Sequence, residues 1–471
     1  MMKATRKLLV GPSARRLVFG LAVALAIALA AVLLDHSEEG VFGHIKETAA
    51  WLKRGPKPEV VTWPAWGYAW LIALIPSFGA VLVLQACVGA LALTALAGRL
   101  WDQMPGHRTL LTGMFLSAVP WHTMQVELYP SALAGSLTLI ALLCLDRALS
   151  KNALRGALLA GVLAGLAQNF RTEFVFLPLF LGICVAGLRR VGIMKFHSFQ
   201  PVAVFIVTAL ALQLPWTAFY HAHTGRFSLT ESNLGHVLFV SLGSDSRNPW
   251  GIKGDDGGAG EAVRNAGYPY SSLSEEGNQI LLPLVLRKAK EHPYGLVQRT
   301  FQQLKNTLLA PFNWGQPKLD EQNRLDLDVL REELKSRLGA GVNVRELQDY
   351  RDRGLYPGAQ KNMAALGALI YQCCAVGLGS LVMLLGMAGM LLVLVRPSLR
   401  PATPLLYLLG CAACYKIFQD VLLCYQVNYL SNVYPMFLPF ASISLFVLEG
   451  CLRSIATRSS GGNLVCSPSD K

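Results

Sequence analysis

Apolar runs of about 18 residues or more recur along the chain, and that recurrence decides the fold class before any motif is read. At 1.5 Å rise per residue, this is the length a helix needs to cross a hydrocarbon core. The first run, RRLVFGLAVALAIALAAVLL, carries no charge between Arg16 and Asp35. Spans are expected near residues 16–34, 79–99, 108–124, 130–146, 155–170, 173–189, 201–219, 365–395, 402–425 and 432–450. The predicted fold is an all-α polytopic membrane protein with about 10 spans. Composition agrees, with 53% hydrophobic and only 15% charged residues; soluble domains carry about a quarter charged residues.

A net charge of +13 invites a nucleic-acid reading, but the basic residues are scattered through short connections. They report topology instead, because cytoplasmic loops of membrane proteins are enriched in Lys and Arg. With MMKATRKLLVGPSARR inside, the inner pieces include GRLWDQMPGHR, DRALSKNALR, RRVGIMK, RPSLR and the tail. The short outer pieces carry only Lys46, Lys53, Arg54, Lys57 and Arg171. The N-terminus is therefore expected in the cytoplasm and residues 35–78 outside. The first run resembles a secretory signal, yet its length and the many spans after it favour an uncleaved first helix. A bacterial cell membrane is the expected location, with the active face to the exterior.

Three regions follow: a transmembrane module over 1–219, an outer loop domain over 220–364, and C-terminal spans with a tail over 365–471. Within the first outer loop, Val41, Ile45, Ala49 and Leu52 recur at helical spacing, which predicts a short helix lying on the membrane surface. WPAWGYAWLIALIPSFG predicts a second interfacial helix. The 220–364 segment is too long for a simple connector, and LDEQNRLDLDVLREELKSRL gives it helical character. Nine of the ten cysteines lie in or beside apolar spans, and Cys411 and Cys414 lack a second pair or a histidine set. They read as small apolar residues rather than ligands.

Where this chain leaves the membrane, it presents Asp35, Glu38 and Glu39 in LLDHSEEGVFGHIKETAAWLKRG. Asp35 reads as a helix cap, with Glu38 reaching back and Glu39 complementing the dipole. It reads equally as a positioned base, and the two roles are compatible. Glu127 in WHTMQVELYPSA, with Arg171 and Glu173 in QNFRTEF, lies in outer turns so short that each charge sits near the membrane plane. Ionisable groups are costly there and often functional. Carboxylates with an arginine suit a hydroxyl nucleophile and an anionic leaving group. Lys416 and Asp420, four apart in CYKIFQDVLLCYQ, are spaced to pair as an intramembrane ion pair; a phosphate-facing Lys416 is the alternative. His221, His223 and Asp255–Asp256 lack the spacing of a closed metal site.

The chain resembles the lipid-linked-sugar glycosyltransferases of the GT-C superfamily, in the branch of the protein mannosyltransferases and the lipid A aminoarabinose transferase. The first loop quoted above is similar to that branch's D-E-x-x-Y-x-x-x-A-x-x-L-x-x-G. LPWTAFYHAHTGRFSLTESNLGHVLF, LRKAKEHPYGLVQRTFQQL and NYLSNVYPMFLPFAS echo later family stretches in the right order. Phe42 stands where the family has Tyr, Pro64 is all that remains of paired prolines, and Asn428 replaces a late arginine.

The resemblance implies a GT-C type bundle with interfacial helices in the first outer loop and a small, mostly helical outer domain. It implies sugar transfer, with inversion, from a polyprenyl-phosphate donor to a glycan, lipid or protein hydroxyl. Asp35, with Glu38 or Glu39, then falls on the base or metal ligand, and Glu127 on the second-loop acid. Arg171, Lys416 and Arg226 are candidates for the donor phosphate, and Trp63, Trp66, Tyr68 and His221 for the sugar or acceptor. A divalent metal ion that neutralises the leaving group is compatible with the resemblance, its ligands unassigned. The partners are membrane lipids and these substrates, not nucleic acid. A lipid transporter or flippase, and an inactive scaffold of the same fold, are the competing readings.

Overall fold

A computed structural model describes residues 12–33, 45, 49–50, 66–75, 77–126, 130–229, 233–243, 248–309, 358–399, 403–422 and 430–460, and no strand occurs among them. Among the described residues eight helices are long and apolar enough to cross a membrane, the architecture of a multi-pass membrane protein. They include α1 (Pro12–Leu33), α3 (Phe78–Gln103), α6 (Pro130–Lys151), α15 (Gly358–Val395), α16 (Leu405–Leu422) and α17 (Leu438–Ser460). The other two are built from α8 (Leu177–Arg190) with the 3₁₀ turn before it, and from α9 (Gln200–Ala211) running into α10 (Leu214–Thr224).

The two other predicted spans take different forms. Residues 108–124 are split into α4 (Arg108–Leu116) and α5 (Val119–Val126). Pro120 enters the second piece, where its ring and missing N–H end the earlier helical ladder. Residues 155–170 fall in α7 (Leu154–Phe170), an apolar helix of 17 residues.

α6 packs along α7, and α7 along α9. Their approach is set by small residues, as in membrane helix pairs generally. A Cβ at Gly161 would lie 2.6 Å from Thr208 Cβ, and one at Gly165 would lie 2.6 Å from a Leu212 methyl. The turn between α6 and α7 passes through Asn152 at φ 50°, the left-handed conformation that Asn tolerates better than most residues. At one end of the bundle Arg16 pairs with Asp102 at 2.7 Å, and Arg99 holds the fully buried Asp146 at 2.8 Å.

At the opposite end lies α2 (Trp66–Leu74), within the aromatic stretch read as interfacial. Of the first-loop stripe, Ile45 and Ala49 are described and buried; Ile45 packs with Tyr68, Val81 and Leu133. The two described members of the stripe are thus turned away from solvent.

The 220–364 region holds α11 (Leu234–Gly243), α12 (Asp256–Asn265), α13 (Glu275–Glu291) and α14 (Pro293–Leu309). They enclose a separate core around Phe239, Trp250, Val263 and Leu281. Asp255 and Ser274 cap α12 and α13 through their side chains, as N-cap residues do. The polar stretch 319–338 lies outside the described residues.

Candidate functional site

Short turns bring the charged groups together. α7 ends at Arg171, whose backbone is extended and whose N–H still bonds the Ala167 carbonyl. A single 3₁₀ turn, Thr172–Phe174, follows before α8 begins. This turn is strapped to α16: the Tyr415 hydroxyl donates to the Glu173 carbonyl at 2.7 Å, and the Gln419 amide donates to the same oxygen at 3.0 Å.

The Glu173 side chain then collects two cations. Lys416 Nζ contacts Oε1 at 2.9 Å and Arg171 Nε lies 3.4 Å from Oε2. Asn432 donates to Oε1 at 3.1 Å, and Lys416 also donates to Gln419 at 3.1 Å. The lysine ammonium sits 5.0 Å above the Phe174 ring, a favourable cation–π contact. Lys416 is fully buried and Arg171 nearly so. Charges in such a setting persist only when paired and hydrogen-bonded.

The expected Lys416–Asp420 pair is not what forms. Lys416 turns to Glu173, and both carboxylate oxygens of the fully buried Asp420 lack a hydrogen-bond partner among the described residues. Helical spacing puts Asp420 on the same face as Lys416, but the turn carrying Glu173 competes for the ammonium and adds three more hydrogen bonds. Sequence spacing along one helix could not reveal that competitor.

Arg226, the third phosphate candidate, pairs instead with Glu275 at 3.1 Å, and the Tyr220 hydroxyl bonds the same carboxylate. Trp66 donates to Asn169 at 2.9 Å and stacks on Trp216 with ring centroids 6.2 Å apart. Asn169 in turn donates to the Gly165 and Leu212 carbonyls, so this aromatic pair is fixed two residues from Arg171. Tyr68 is fully buried, its hydroxyl donating to Gln85 at 3.2 Å; it packs the bundle and offers no surface to a sugar. His221 is exposed and stacks flat on Phe227. Asp35, Glu38, Glu39, Trp63, Glu127 and Asn428 lie outside the described residues.

Tyr415, Gln419 and Asn432 are the site residues that the sequence did not single out. Their only signal is that each is polar within an apolar stretch. Cys414 of the CxxC is exposed on the helix surface rather than buried. Among the described residues no group of three or more His, Cys, Asp or Glu is gathered to hold a metal ion.

Comparison of the chain with protein-family models finds no match, and comparison with curated proteins finds none either.

Proposed function

We propose that the protein is a membrane glycosyltransferase of GT-C type, using a polyprenyl-phosphate sugar as donor. The observation that carries this reading is the convergence of Arg171 and Lys416 on one carboxylate. The two cations come from distant parts of the chain and meet toward the end of the bundle that also holds α2. A carboxylate and a phosphate have similar donor requirements, and a guanidinium with an ammonium satisfies either. Glu173 thus stands where the donor phosphate would bind, and exchanges with it.

In the reaction, the acceptor hydroxyl oxygen attacks the anomeric carbon as the bond to the phosphate oxygen breaks. The leaving polyprenyl phosphate keeps the electron pair and is stabilised by Arg171 and Lys416. Asp35 takes the hydroxyl proton. Trp66, half-buried, backed by Trp216 and held beside Arg171 through Asn169, supplies an apolar face for a sugar ring.

The test is consumption of a mixed pool of polyprenyl-phosphate sugars by purified membranes, comparing wild type with Asp35→Asn at matched expression. Consumption by wild type alone supports the transferase and identifies the sugar. Equal consumption by both returns Asp35 to helix capping, and no consumption by either favours a transporter or scaffold.

A further inference from the structure

Helix α14 (Pro293–Leu309) is built inside out. Arg299, Gln303 and Thr307 are buried, with 5%, 7% and 0% of their surface exposed. Tyr294, Val297 and Phe301 are 72%, 50% and 68% exposed. At 3.6 residues per turn the two rows occupy opposite sides of the helix. A helix in water does the reverse, hiding its apolar stripe and wetting its polar one.

Two members of the buried polar row, Arg299 and Gln303, tie α14 to the outer domain and to the bundle. Arg299 Nε donates to the Ser241 carbonyl of α11 at 3.1 Å. The Gln303 side-chain amide reaches the Val421 carbonyl of α16 at 2.6 Å, turning its oxygen to Arg299 at 2.9 Å. The polar row therefore faces protein, and the apolar row, with the exposed Lys305 one turn beyond Phe301, faces whatever surrounds the molecule. Its immediate neighbour settles the surroundings. α14 packs on α15 and α16, both membrane-spanning, and α16 exposes Phe418 and Leu422 beside that contact. An exposed apolar stripe on a helix packed against membrane-spanning helices suits acyl chains as its surroundings.

We infer that α14 is embedded in the bilayer at the Leu422 end of α16, with Tyr294, Val297 and Phe301 among acyl chains and an anionic phospholipid headgroup held at its start. A shallow groove of about 500 Å³ at the end of α13 is lined by Pro283, Leu286, Arg287, Lys290 and Glu291. Arg287 and Lys290 bring positive charge to the level where headgroup phosphates lie, and the half-exposed Leu286 meets the chains below. An anionic lipid fits this surface by charge and by apolarity together. The inference is independent of any transferase activity.

A fluorescent amino acid placed at position 301 of the full chain in lipid nanodiscs tests the embedding. Position 418 serves as the lipid-facing control and position 261 on α12 as the aqueous one. Strong quenching by lipids brominated on their acyl chains, with little by aqueous iodide, is the expected result. Quenching by iodide as at position 261 would overturn it, and so would protection from both quenchers, which would mean that protein covers the stripe. For the headgroup, wild type is expected to unfold at higher temperature in phosphatidylglycerol than in phosphatidylcholine nanodiscs, and the variant Arg287→Gln/Lys290→Gln to lose that gain. A gain that survives in the variant would remove the groove from the proposal.

Discussion

Glu173 and Lys416 form a buried ion pair of 2.9 Å between the turn that follows α7 and the middle of α16. The pair does two things. It fixes α16 against the α7–α8 turn, and it stores a second cation beside Arg171 at the end of the bundle where α2 and α14 dock.

Breaking this pair from one side leaves a charge in a place with no water. Lys416→Met is expected to destabilise the protein by on the order of 3 kcal/mol, as losing one partner of a buried pair does. Asp420→Asn removes no hydrogen bond made to a described residue, so its cost is expected to stay within about 1 kcal/mol. Unfolding in detergent, followed for the two variants side by side, reads the contrast.

At the opposite end, Asp146 is fully buried and depends on Arg99 for two contacts of 2.8 and 2.9 Å. Arg99→Leu is expected to lower the unfolding temperature sharply. Adding Asp146→Asn should recover part of the loss, because the charge left behind is then removed. Identical melting of the single and double variants would contradict this.

Packing of α15 on α17 rests on two glycines. A Cβ at Gly386 would lie 2.9 Å from Phe437 Cβ, and one at Gly389 would run into the Phe440 carbonyl. Backbone atoms cannot give way as a flexible side chain does. Gly389→Ala is expected to cost about 1–3 kcal/mol, whereas Gly377→Ala, with open space around it, should be nearly silent. Thermal unfolding of both distinguishes them.

In the outer domain, His236 sits between Ser272 and Asp256, each 3.1 Å from a ring nitrogen. Burial pushes its pKa below the ordinary 6.5, outweighing the Asp256 carboxylate, which pulls the other way. The folded domain thus prefers neutral imidazole. Its contribution is present above pH 6.5 and is lost as pH falls from there through the lower folded value. Amide protection factors in α11 and α12, which are corrected for the intrinsic pH dependence of exchange, should fall between pH 7.5 and 5.5 in wild type, and His236→Gln should flatten that fall.

Much of the fold was legible because hydrocarbon tolerates so few backbones. Long apolar runs announced the helices, and Pro120 explains the split within residues 108–124. The role of α14 was not legible: HPYGLVQRTFQQL reads as an ordinary amphipathic helix, and which of its faces is buried depends on neighbours far away in sequence. The same holds for the site. Arg171, Glu173 and Lys416 stood out as charges near the membrane, but spacing alone paired Lys416 with Asp420. Only tertiary packing brings the α7–α8 turn to the lysine, and the polar residues that complete the cluster look like any others.

The central claim is that Arg171 and Lys416 hold a lipid-borne phosphate in the place Glu173 occupies. It is tested most directly by measuring the affinity of purified protein for polyprenyl phosphate in wild type, Arg171→Gln and Glu173→Gln, each checked for a native unfolding transition. The account predicts binding weakened at least about tenfold in Arg171→Gln, the loss of one charge-assisted contact. It predicts binding at least as tight as wild type in Glu173→Gln, where the competing carboxylate is gone. Equal affinity in all three folded proteins, or weaker binding in Glu173→Gln, would contradict it and leave the cluster as a lock between helices.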